Sequence, residues 1–197
     1  TGKSLTLGLD FKTENTKNLK NINNYFDIKL ATVLRDKEEA FISKKSTLNK
    51  RNSNLFGSVT GQFTENFNLN YNFSIDNDLS ETKYSLISAN YSGNKFKTSF
   101  EYLEKSKPIG DDSYLINLTE LEINKSNSLA FKTSKNLDKN LTNYYNLIYA
   151  YKNVCLKASI VYDKKFYDGD SVDSGKTIFF KIAFLPFGEI NTPTFND

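Results

Sequence analysis

The stretch FNLNYNFSID, residues 67–76, alternates without a break. Phe67, Leu69, Tyr71, Phe73 and Ile75 fall on one side, and Asn68, Asn70, Asn72, Ser74 and Asp76 on the other. Successive side chains of a strand point to opposite faces, whereas a helix would scatter these five apolar residues around its circumference. The segment is a strand with one wholly apolar face and one wholly polar face. What covers that apolar face decides what the chain can become.

The same period-two pattern marks eleven windows: 4–12, 24–34, 54–64, 67–76, 82–92, 95–104, 115–124, 127–137, 141–151, 154–167 and 176–187. The first sets Leu5, Leu7, Leu9 and Phe11 against Ser4, Thr6, Gly8 and Asp10; the last carries Ile178, Phe180, Ile182 and Phe184 on its apolar side. The seventh, YLINLTELEI, also admits a short helix. No other amphipathic helix, no Pro/Gly-rich linker and no break in composition appears, so the chain reads as one all-β unit spanning 1–197. Its connectors alternate in length. Those at 65–66, 93–94, 125–126 and 152–153 are tight, while 35–53, 105–114 and 168–175 are long. In an up-and-down sheet the long ones share one edge and the tight ones the other, which is the pattern of an outer-membrane β-barrel. The connector 13–23 is longer than that pattern expects.

A soluble sandwich or lipocalin-like barrel also alternates. The windows, however, run to roughly ten residues, the length that crosses a bilayer when tilted, whereas strands of soluble proteins typically run about five or six. The apolar faces are rich in Phe and Tyr, of which the chain holds 16 and 12; these suit a lipid-facing band with aromatic margins. A mean hydropathy of −0.53 does not oppose this reading, because half of every barrel strand is polar. No apolar run is long enough for a transmembrane helix. Eleven is an odd count, and single-chain bacterial barrels close with an even number. The chain also lacks Met, including at position 1. Both features are read here as those of a mature or truncated piece of a longer protein.

Several chemistries are excluded. Without His, neither Ser-His-Asp nor Cys-His catalysis can be assembled, and one Cys without His leaves no usual zinc site. No phosphate-binding glycine loop occurs. Asp111-Asp112 and Asp168/Asp170/Asp173 read as solvated loop tips rather than a calcium site. The net charge of +3 is spread among mixed charges, which does not suit nucleic acid. No cofactor and no enzymatic activity are expected.

Residues 144–168, YYNLIYAYKNVCLKASIVYDKKFYD, followed by a polar loop and KTIFFKIAFLPFG, resemble the C-terminal end of the LptD family, the lipopolysaccharide-assembly outer-membrane proteins once called organic solvent tolerance proteins. Residues 41–80 resemble an upstream stretch of the same family, so the likeness spans roughly 41–188. It implies a larger barrel of which these are the last strands, set in the outer membrane of a Gram-negative bacterium. It further implies transport of lipopolysaccharide into the outer leaflet, a plug lipoprotein and periplasmic bridge proteins as partners, and lipid leaving through a lateral gate. The gate strand would carry Ile178, Phe180, Ile182, Phe184 and Pro186, and Asn68, Asn70, Asn72, Lys157 and Lys181 would face the lumen. The loop 168–175 would be extracellular and the turn 152–153 periplasmic. Family members place cysteine at this turn and bond it to an N-terminal periplasmic domain. The resemblance thus implies a disulfide from Cys155 to a domain outside this sequence. Well-known members carry two adjacent cysteines here; this chain has Val154 before Cys155. Two alternatives remain beside this reading: a general porin or solute channel, and a soluble β-sheet binding or adhesion protein.

Overall fold

A computed structural model describes residues 2–14, 24–166 and 175–184, with backbone alone for 188–191 and 195–196. Eleven long strands follow one another: β1 (Ser4–Glu14), β2 (Tyr25–Arg35), β3 (Leu55–Thr64), β4 (Phe67–Ile75), β5 (Thr82–Ser92), β6 (Phe96–Lys105), β7 (Asp112–Asn124), β8 (Asn127–Asn136), β9 (Leu141–Lys152), β10 (Leu156–Lys165) and β11 (Lys176–Phe184). Two short strands end the chain, β12 (Gly188–Asn191) and β13 (Phe195–Asn196). Strands hydrogen-bond in chain order from β1 to β12, with β13 also pairing β11. The fold is an all-β, antiparallel up-and-down arrangement, as the alternation indicates. Its order does not close on itself among the described residues. The seventh window is a strand, not a helix.

The chain forms two compact units, Thr1–Asn90 with Glu101–Ser113, and Tyr91–Phe100 with Tyr114–Asp197. In the first unit, register stacks the apolar side chains into rows: Phe11, Ile28, Val59 and Tyr71 in one, and Leu9, Leu30, Gly57 and Phe73 in the next. Gly57 is needed where it stands. A Cβ there would lie 2.1 Å from the Phe73 ring, which folds over the glycine and fills the gap in the row. The opposite face carries Asp10, Lys29, Ser58 and Asn72 in one row, with Lys12, Asp27, Thr60 and Asn70 beside it.

Burial is inverted relative to a water-soluble domain. Val161, at 4% exposure, is the one buried apolar side chain among the described residues, whereas nine polar residues are buried. Twenty-nine large apolar or aromatic side chains of the described residues stand exposed, including Leu9 at 59% and Ile160 at 45%. Full burial of such a side chain is worth about 1.5–3 kcal/mol. Left in water, these residues together forgo on the order of tens of kcal/mol, more than the 5–15 kcal/mol typical of a whole domain's stability. The apolar face therefore requires an apolar medium.

Between β2 and β10 the connectors sort by parity; the ten residues between β1 and β2 do not follow it. Those after β3, β5, β7 and β9 are residues 65–66, 93–95, 125–126 and 153–155, while those after β2, β4 and β6 are 36–54, 76–81 and 106–111. The expected connector 13–23 lies mostly outside the described residues, as do most of 168–175 and its aspartates. Loop 36–54 has a polar interior, built on Thr47, Ser53 and Asn54, each at most 1% exposed. Ser53 Oγ accepts from the Val33 amide at 2.8 Å and donates to the Asn54 carbonyl at 2.8 Å; Asn54 Nδ2 donates to Ser74 Oγ at 3.0 Å. Arg35 Nε donates to the Leu48 carbonyl at 2.6 Å and ties the loop to the end of β2. In the turn 76–81, the hydroxyl and amide of Ser80 hold the Asp78 carboxylate below its ordinary range.

Candidate functional site

The polar faces are the candidate site, and the two units furnish them differently. In the first, Asn68, Asn70 and Asn72 project from β4 half-buried. Asn68 Oδ1 accepts from Asn70 Nδ2 at 3.0 Å and from Asn90 Nδ2 at 2.9 Å, which links three of the asparagines of this face. Charges on this face are interleaved: Lys29 pairs with Asp27 at 3.4 Å and Lys12 pairs with Glu14.

In the second unit the polar face encloses a groove of about 640 Å³ at the tight-turn end. Its floor is made of small side chains, Ser128, Ala130, Ala150, Ser159 and Ala183, and its edges of long charged ones. Register explains the hollow. Glu122, Ser128, Ala150, Ser159 and Lys181 share one cross-strand row, with the small residues between the two charged ends. Among the described residues six lysines line the groove, Lys95, Lys97, Lys125, Lys152, Lys157 and Lys181, against two glutamates, Glu120 and Glu122. Lys157 and Lys181, read from the sequence as polar-face residues, are thus brought to one groove. The sequence reading missed Lys152 and the small-residue floor, because which residues lie side by side depends on strand register.

The chain's outer face also follows a pattern. Ile178, Phe180, Ile182 and Phe184 are exposed on alternate positions of β11, with Lys181 on the opposite face. Pro186 lies outside the described residues. The far edge of β11 is not bare: Lys181–Phe184 pair with Gly188–Asn191, and Thr177–Ile178 with Phe195–Asn196. Covering an otherwise unpaired strand edge satisfies its backbone groups. Aromatic pairs flank the tight turns, Phe63 with Phe67 at 5.9 Å between ring centroids and Tyr91 with Phe96 at 6.3 Å. Such rings suit a membrane–water boundary, where one end is apolar and the other wet.

Cys155 is free and exposed. It sits in the turn rather than on the strand, since β10 begins at Leu156. Asn153 decides this: its Oδ1 accepts from the amides of Cys155 at 2.9 Å and Leu156 at 2.7 Å, and its own amide donates to the Leu156 carbonyl at 2.8 Å. That side-chain turn carries Val154 out to 91% exposure. Among the described residues, no three His, Cys, Asp or Glu side chains gather as a metal site would require, and Asp111 pairs instead with Lys107 at 3.4 Å.

With this geometry in view, comparison with known proteins adds one likeness. A solved structure of a triple mutant of the Rh. blastica porin matches over 95% of this chain and 83% of that one, with a TM-score of 0.52 and 13% identity. At that identity the likeness is one of fold. No protein-family model and no curated protein matches the sequence.

Proposed function

We propose that this chain forms part of the wall of an outer-membrane β-barrel, a passive conduit for polar or amphiphilic cargo with no chemistry of its own. The inverted burial carries this reading: polar side chains are sheltered while Leu9, Ile160 and Phe180 stand exposed. Strands of 9 to 13 residues are long enough to cross a bilayer. The fold shared with a porin supports a conduit of the solute-channel type. Under this reading the purified protein, inserted in a planar lipid bilayer, gives steady ion conductance with selectivity among solutes. Purification as a compact monomer without detergent, with no conductance, would overturn it and favour a soluble binding protein.

The ordered resemblance of 41–80 and 144–188 to the LptD family supports a second reading, export of lipopolysaccharide to the outer leaflet with a plug lipoprotein and periplasmic bridge proteins as partners. In it, β11 borders a lateral gate, and the exposed thiol of Cys155 bonds to a periplasmic domain. The periplasm is oxidising, so such a bond persists once made. This reading expects the intact protein to migrate differently on a non-reducing gel after Cys155→Ser. Identical migration rejects the tether.

A further inference from the structure

We propose that Lys152, Lys157 and Lys181, with the Ser159 hydroxyl, form a site for a phosphate-type oxyanion carried by the cargo. The inference rests on the conduit reading, since it needs a hydrated polar face. Register sets Lys157 directly opposite Lys152, and Lys181 directly opposite Ser159 on the neighbouring row. Like charges facing each other across a strand pair are destabilising unless something neutralises them. Among the described residues, the ion pairs of this unit do not include these three lysines; Lys165 pairs with Asp163 instead. The groove's two glutamates are on β7, two strand spacings from Lys152 and three from Lys157, and register places Glu189 of β12 opposite Ala183, in the row of Lys157 and Lys152. Glu122 lies on β7 and Lys181 on β11, four strand spacings apart, or about 19 Å along the sheet. That exceeds the roughly 8 Å screening length at physiological salt, so Glu122 does little for Lys181.

The lysine excess is local, since the first unit's polar face interleaves Asp10, Lys12, Asp27 and Lys29. The small floor leaves room for a group larger than an ion. Lys181 also lies over the Phe179 ring, 5.4 Å from its centroid, which holds the ammonium on this face. Phosphate takes several charge-assisted hydrogen bonds at once, and lysine serves it as a mobile point charge. Two sources share that chemistry, a free phosphorylated solute and the headgroup of a phosphorylated glycolipid.

The test uses the protein purified in detergent, its lysines reductively methylated with ¹³C, and inorganic phosphate as the first probe. Saturable shifts at Lys157 and Lys181 are expected. Lys157→Gln with Lys181→Gln should weaken binding about tenfold or more, the effect of losing charge-assisted hydrogen bonds. Lys132→Gln, on the same face two rows toward the long loops, should leave it unchanged. Micelles of phosphorylated and dephosphorylated glycolipid are the second probe. Tighter binding of the phosphorylated lipid than of phosphate assigns the site to a headgroup; equal or weaker binding assigns it to a free solute. No saturable shift with either probe, or an equal loss in Lys132→Gln, overturns the site. If the same preparation still inserts and conducts in bilayers, the anion site alone has failed; if it does not insert, the conduit reading has failed.

Discussion

Ile160→Arg is expected to destabilise the bilayer-inserted protein by about 2–4 kcal/mol, the cost of an arginine near the membrane midplane. Ile160 lies mid-strand in β10, between Tyr149 of β9 and Phe180 of β11 on the exposed apolar face. Were that face in water, the same change would fall within about 0.5 kcal/mol, as surface substitutions do. The two environments differ by enough for equilibrium unfolding from lipid vesicles in urea to separate them. Asn146→Arg, on the opposite face of β9 and directly opposite Asp163, serves as the control and should cost little. A neutral Ile160→Arg would mean that the apolar face does not meet lipid.

The second large effect is expected at Ser53→Ala, with a loss of about 1–3 kcal/mol, the penalty for stranding a buried polar group. Ser53 is 1% exposed, and its hydroxyl both accepts from the Val33 amide and donates to the Asn54 carbonyl. Alanine leaves the Val33 amide unmet at the point where loop 36–54 is fastened to β2. A lower denaturation midpoint should therefore accompany faster proteolysis within that loop. Ser46→Ala removes a half-buried hydroxyl that donates to the Ser43 carbonyl at 2.7 Å and accepts from the Leu48 amide only at 3.4 Å. It should change stability by no more than about 0.5 kcal/mol. Equal effects from the two changes would show that the loop is not anchored through Ser53.

The strands were legible because a period of two survives in the sequence whatever the surroundings; all eleven windows became strands, with ends shifted by a few residues. The parity of the connectors was legible for the same reason. What escaped depended on interactions the alternation does not encode. Val154 fits the pattern of a strand start, but the Asn153 side chain captures the next amides and delays β10 to Leu156. β12 and β13 have no alternation of their own; they pair the open edge of β11. Thr47, Ser53 and Asn54 lie in a loop without period, and their burial follows from hydrogen bonds to β2, β4 and one another. Lys157 and Lys181 could be placed on the polar face, but their meeting Lys152 across a floor of small residues is a matter of register.

A single strand can show whether the apolar face lies against lipid. Spin labels placed one at a time at residues 68–73 of β4, in a Cys155→Ser background and in bilayers, report contact with oxygen, which concentrates in hydrocarbon, and with a nickel chelate, which stays in water. The expected result is strict alternation: Leu69, Tyr71 and Phe73 open to oxygen, and Asn68, Asn70 and Asn72 open to the chelate. Labels at 69, 71 and 73 shielded from both reagents would place those side chains in a dry protein interior and contradict the membrane barrel.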